Sequence, residues 1–155
     1  MGGHKTIRST APEVIAPPVS HWISPASHYD GSYLWINPTR VYDDSVITYS
    51  TCLVQSNSQS AILRLTIAPM TPCDKIRFFV HPATSVLIST VRISVWYGGF
   101  FRQIYSGPFV RSEWIEKLIP AGMVYTSAAE ISFRNGSLAL PVTVALSEFE
   151  FWQII

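Results

Sequence analysis

Charge is what this sequence has least of. Asp, Glu, Lys and Arg make up 14% of its 155 residues, against about 25% in an ordinary soluble domain. The formal net charge is +1, and the basic residues form no run. This excludes the electrostatic footprint that holds nucleic-acid phosphates and equally the polybasic patch that binds an anionic membrane surface. Long apolar runs are also missing: Arg, Ser, Gly or Pro interrupts each stretch before the roughly 18 residues of a membrane span. The start, MGGHKTIRSTAPEV, has basic residues but no apolar segment after them, so it does not read as a secretory signal. Cysteine is scarce. Cys52 and Cys73 permit one disulfide at most, and without CxxC spacing they read as buried free thiols rather than zinc ligands. His4, His21, His28 and His81 lack the i, i+2 or i, i+4 spacing of a metal site, and no cofactor motif is present.

Helical periodicity is nearly absent too, and strand patterning takes its place. The clearest signal is TVRISVWYGGFFRQIYSG, residues 90–107. Val91, Ile93 and Val95 alternate with Arg92, Ser94 and Trp96 up to Gly98-Gly99, a pair suited to the positive φ angles of a primed hairpin turn. Trp96, Tyr97, Phe100 and Phe101 crowd the tip, where they either pack on a neighbouring element or form a contact surface. With the two hairpin strands included, β-branched and aromatic runs cover 46–54, 61–68, 75–81, 87–97, 100–106, 113–118, 128–134 and 142–153. Turn residues divide them, including Pro69 to Pro72, Pro82-Ala83-Thr84 and Asn135-Gly136. Eight such runs predict an all-β antiparallel sandwich of jelly-roll type, with Val110 to Leu118 read as strand rather than helical turn. Ile76, Phe78 and Val80 oppose Lys75, Arg77 and Phe79, the pattern of a strand with one wet face. In the last run, Val142, Val144 and Leu146 share one parity and Phe149 and Phe151 the other. That requires a bulge near Ser147 or a strand buried on both faces.

Residues 1–38 carry five of the eleven prolines and read as an extended arm ahead of a sandwich domain over 39–155. Val14, Ile15, Val19, Trp22, Ile23, Tyr29, Tyr33, Leu34 and Trp35 are too apolar for a solvated tail. The arm is therefore expected to lie along its own domain or a neighbouring subunit, and Val14, Ile15, Trp22, Ile23 and Tyr29 are candidate contacts together with Trp96, Tyr97, Phe100 and Phe101.

Candidate chemistry is sparse. Glu113, Glu116, Glu130, Glu148 and Glu150 are the acids available for glycoside hydrolysis. Glu148 and Glu150 alternate with Phe149 and Phe151 and are expected on a wet face, paired with Arg134 or Arg92. Asp43 and Asp44 in a loop after Asn37-Pro38 are candidate calcium ligands, since adjacent acids supply hard oxygens. No Ser-His-Asp or Cys-His pattern stands out, and the chain is read as non-enzymatic.

The stretch WINPTRVYDDSVITYS, residues 35–50, resembles the opening of discoidin-like, galactose-binding-type jelly rolls, where Asn-Pro and an acidic pair precede a Thr-Tyr strand. ISFRN at 131–135 and ALSEFEFW at 145–152 are similar to the closing strands of such modules, including versions in bacteriophage virion proteins. The resemblance implies binding or assembly rather than catalysis. The lectin-like members carry an Arg and Asp cluster on one loop that is absent here. The first expectation is therefore a virion-type assembly component, such as a capsid-decoration or head or tail accessory protein, docked on protein subunits as an oligomer. The alternative is a carbohydrate-binding module that stacks Trp96, Tyr97, Phe100 or Trp114 on a glycan beside Arg102 or Glu113.

Overall fold

The computed structural model describes residues 19–155; Val14 and Ile15 lie outside the described residues. The strands are β1 (His21–Ile23), β2 (Ser27–Tyr29), β3 (Trp35–Ile36), β4 (Ser50–Val54), β5 (Ser58–Gln59), β6 (Leu63–Val80), β7 (Ile88–Tyr97), β8 (Phe100–Gly107), β9 (Trp114–Leu118), β10 (Val124–Asn135) and β11 (Val142–Gln153). A 3-10 turn spans Pro38–Tyr42. All strand pairings are antiparallel. Among the described residues, no helix is long and apolar enough to cross a membrane.

One strand makes the sandwich. The runs expected separately at 61–68 and 75–81 are two halves of β6, which is 18 residues long. Its first half pairs with β10, Leu63 opposite Ile131 and Leu65 opposite Ala129. Its second half pairs with β11, Ile76 opposite Phe151 and Phe78 opposite Phe149. Between them Ala68, Pro69 and Met70 are exposed, and the Ala68–Pro69 peptide is cis. A proline has no N–H for a ladder, so Pro69 and Pro72 mark where the strand changes partner rather than where it stops. One layer is β2, the start of β6, β10, β7 and β8; the other is β3, β4, β11, the end of β6 and β9, with β1 also on β11.

The inward faces are the ones that alternation selects. Val91, Ile93, Val95, Ile131 and Phe133 of the first layer share one core with Ile76, Phe78, Val80, Val144, Leu146, Phe149 and Phe151 of the second. Trp35 crosses from the second layer, its ring centroid 6.4 Å from that of Phe133 and its Nε1 donating to the Ala61 carbonyl at 2.9 Å. Cys52 and Cys73 are free and buried, and burial pushes both thiols up to about 11.

In β11 the register slips between Leu146 and Glu148, so Ser147 is the bulge, and the strand is also buried continuously from Val144 to Phe151. The bulge corrects the reading of two acids. Glu148 and Glu150 are not on a wet face, and neither meets Arg134 or Arg92. Glu148 is 1% exposed and accepts from the Ser45 backbone N–H at 2.9 Å. Glu150 is buried and pairs with Arg77, directly opposite on β6. The cause is cover: the 43–48 loop and β1 lie on that side of β11. The same loop explains why β4 begins at Ser50 rather than Val46.

The described part of the arm is built into the sandwich. β1 pairs with β11, β2 with β6 and β3 with β4. Trp22 lies against Trp152 with ring centroids 5.0 Å apart, and Ile23 packs on the core. The hairpin forms with Trp96 opposite Phe101 and Tyr97 opposite Phe100. Gly98 and Gly99 both have positive φ, at 65° and 98°, as a primed turn needs.

Candidate functional site

The outer face of the first layer carries a row of side chains set by register. Tyr29 on β2 stands opposite Arg64 on β6, Arg64 opposite Glu130 on β10, and Glu130 opposite Ser94 on β7. Arg64 donates to Glu130 Oε2 from Nε at 3.0 Å and from Nη2 at 2.8 Å. Its guanidinium also lies 4.7 Å from the ring centroid of Phe101 and 5.7 Å from that of Tyr29. Along this row runs a hollow of about 430 Å³ lined by Tyr29, Gly31, Ser32, Ser60, Arg64 and Glu130 among others. A second hollow of about 350 Å³, lined by His28, Tyr29, Asp30, Tyr33, Trp35 and Pro38, adjoins it, with Tyr29 common to both.

The loop between β2 and β3 is tied together by one carboxylate. Asp30 Oδ1 accepts from the Ser32 N–H and hydroxyl, and Oδ2 accepts from the Trp35 N–H at 2.7 Å. Burial pushes the Asp30 acid up, but these donors prevail and hold it below its usual value. The chain turns tightly around this carboxylate, and Tyr33 is held at φ 55° with 89% of its surface exposed. The conformation closes a turn, with the Tyr33 N–H donating to the Asp30 carbonyl at 3.2 Å, and it leaves the ring open to water. Tyr29 is 61% exposed. Gly31 makes room for it: a Cβ there would stand 3.0 Å from the Tyr29 hydroxyl.

The hairpin tip is less open than its composition implies. Arg102 lies over Phe100, 3.8 Å from the centroid, and 4.9 Å from that of Tyr97, while its Nε donates to the Tyr97 carbonyl. Trp96, Tyr97 and Phe101 are half-buried, and Phe100 is exposed. The ring of Trp114 is likewise covered, by Arg77 at 3.9 Å. Arg77 lies between Trp114 and Trp22, so Trp22 is engaged within its own chain. Glu113 is exposed beside it.

A second cluster fills the gap along β11 between the end of β1 at Ile23 and the start of β4 at Ser50. Oxygens of Asp44, Glu148 and Glu150 lie within 4.8 Å of one another. Glu148 Oε2 is buried and has no hydrogen-bond partner. Burial first, then the neighbouring Asp43 carboxyl and the charge of Glu150, push the Glu148 acid up to about 9. Asp43 itself accepts from the Thr48 hydroxyl and the Ser45 N–H, and Asp44 from the Ser24 hydroxyl. Of the calcium candidates, Asp44 thus meets two acids 104 and 106 residues later in sequence, while Asp43 borders the cluster. The donor set is all oxygen, which fits a hard divalent cation.

Sequence reasoning named both Tyr29 and Tyr33 among the apolar residues of the arm but took only Tyr29 as a contact, and it did not find Arg64 or the pairing of Glu130. The available signal was Asp30-Gly31, a turn dipeptide with an Asp that can bond its own backbone ahead.

No family model and no curated protein matches this chain. Solved structures do. The CBM32 of AlyQ in complex with 4,5-unsaturated mannuronic acid is similar over 84% of this chain and 97% of that one, with TM-score 0.60 and 10% identity. An F5/8 type C domain from Bacteroides fragilis covers 87% and 91%, with TM-score 0.58 and 10% identity. The fold is the discoidin-like jelly roll. A GH29 fucosidase from Ruminococcus gnavus in complex with fucose is similar over 76% of this chain, with TM-score 0.54 and 12% identity. This chain spans 22% of the fucosidase chain.

Proposed function

We propose that this chain is a carbohydrate-binding module and that its glycan site is the groove around Tyr29, Tyr33, Arg64 and Glu130. The observation that carries this reading is the pair of exposed tyrosines, Tyr29 at the end of β2 and Tyr33 in the loop that follows, next to a guanidinium and a carboxylate that face each other. A sugar offers apolar C–H faces, which an aromatic ring covers, and a rim of hydroxyls, which a carboxylate accepts from and a guanidinium donates to. At Trp114 the ring is already covered by Arg77, and at the hairpin tip Arg102 lies over one face of Phe100, whose other surface stays exposed. The AlyQ CBM32, of similar fold, holds a sugar acid, which supports the glycan reading. The virion-assembly reading draws no support from these likenesses and stands second. A glycan array tests the proposal. The chain is expected to bind immobilised glycans, and Tyr29→Ala and Tyr33→Ala are each expected to lose the signal while unfolding at the same temperature as the parent. Full binding by both variants overturns it.

A second reading rests on the buried, partnerless Glu148 Oε2. We infer that Asp44, Glu148 and Glu150 hold a calcium-class cation that fastens the 43–48 loop and the β1 segment to β11. Its role is structural, since the cluster lies on an edge of β11 in the layer opposite the groove.

A further inference from the structure

We infer that the groove binds an uncharged glycan chain across at least two consecutive sugar units, with Tyr29 as the ridge between them. The inference deepens the carbohydrate reading above and rests on it. Tyr29 is the single residue shared by the two hollows, and each hollow, at about 430 and 350 Å³, is by itself within the ~300–1,000 Å³ range of ligand sites. Two hollows meeting at one exposed ring are the shape of two adjoining subsites. The first is lined by Arg64, Glu130, Ser32 and Ser60, which can bond hydroxyls, together with Ile62 and Tyr29. The second is lined by Tyr29, Tyr33 and Trp35 with His28, Asp30 and Pro38. The first subsite thus supplies most of the hydroxyl partners and the second most of the ring faces.

The lack of charge follows from the lining. In the first hollow Arg64 and Glu130 neutralise each other. In the second the Asp30 carboxylate keeps its charge but is buried, with its oxygens turned to Ser32 and Trp35, and His28 Nδ1 is engaged with the Tyr42 hydroxyl at 2.8 Å. Neither hollow presents an exposed, unpaired charge to a uronate or an amino sugar.

Calorimetric titration with neutral gluco-, galacto-, manno- and xylo-oligosaccharides of one to four units tests this. For the series that binds, affinity is expected to rise at least tenfold from one unit to two and to change little between 50 and 500 mM salt. Tyr33→Ala is expected to weaken binding and to lose the gain from one unit to two. Gly31→Ala, which crowds the Tyr29 hydroxyl, is expected to reduce the gain without altering charge. Equal affinity for one and four units overturns the two-subsite inference while leaving the carbohydrate reading intact. A steep fall in affinity with salt overturns the claim of an uncharged ligand. Failure of all four series to bind, in a chain that scores on the array, overturns the inference alone. Silence on the array as well removes both.

Discussion

Arg64 sends two hydrogen bonds to one oxygen of Glu130, at 2.8 and 3.0 Å, which leaves Glu130 Oε1 outside the pair. The side chains retain 41% and 18% of their surface, so the pair contributes only about 0–1 kcal/mol to stability. Its geometry is better explained as a preset donor and acceptor for a ligand. Glu130→Ala is expected to change stability by less than about 1 kcal/mol. It should weaken glycan binding roughly tenfold or more, as loss of a hydrogen bond to a charged group does. Parallel chemical unfolding and titration separate the two effects.

Trp22 is expected to be a structural residue. Arg77 is held between its ring and that of Trp114, and Trp22 also meets Trp152 edge-on. Trp22→Ala removes a half-buried indole and a cation–π contact, a loss of roughly 2 kcal/mol. A thermal midpoint lower by about 4–8 °C follows for a chain of this length, with glycan affinity unchanged in a binding assay at 20 °C.

These two sites differ in how far the sequence discloses them. The hairpin at Gly98-Gly99 and the inward faces of β6 and β10 follow from alternation and turn chemistry, which are local. The bend at Pro69 was legible as an interruption, but that one strand serves both layers depends on which partners each half meets. Arg64 and Glu130 read as outward residues on separate strands, and their meeting is a fact of register between segments 66 residues apart. Glu148 was misread because burial of an acid cannot be inferred from parity once a bulge at Ser147 and a covering loop intervene.

Calcium is expected to raise the thermal midpoint of the chain, because an ion that binds only the folded state stabilises it by mass action. Glu148→Gln keeps the shape and removes the carboxyl group, raised to about 9, that must lose its proton to bind the ion. It is expected to abolish the calcium effect while leaving the calcium-free protein folded. Calorimetric scans in chelator and in millimolar calcium read this directly, and equal shifts for both proteins contradict it.

Cys52 and Cys73 are expected to be unreactive toward a disulfide reagent at pH 8 in the folded chain, and both to react after unfolding. Thiolate, not thiol, is the nucleophile, and burial raises both groups from an ordinary value of 9.0 to about 11. Because the folded value is the higher one, their contribution to stability is fully present below pH 9 and is lost as pH rises from 9 through 11. The thermal midpoint of the parent should fall faster across that window than that of the Cys52→Ala, Cys73→Ala double variant.

The position of the glycan site is the central claim, and amide chemical-shift mapping during titration with the best-binding oligosaccharide tests it most directly. The account predicts that the largest shifts cluster at residues 29–34, Arg64 and Glu130, and that they vanish in Tyr29→Ala. Shifts centred on Tyr97 to Arg102, with the 29–34 loop unmoved, would contradict it.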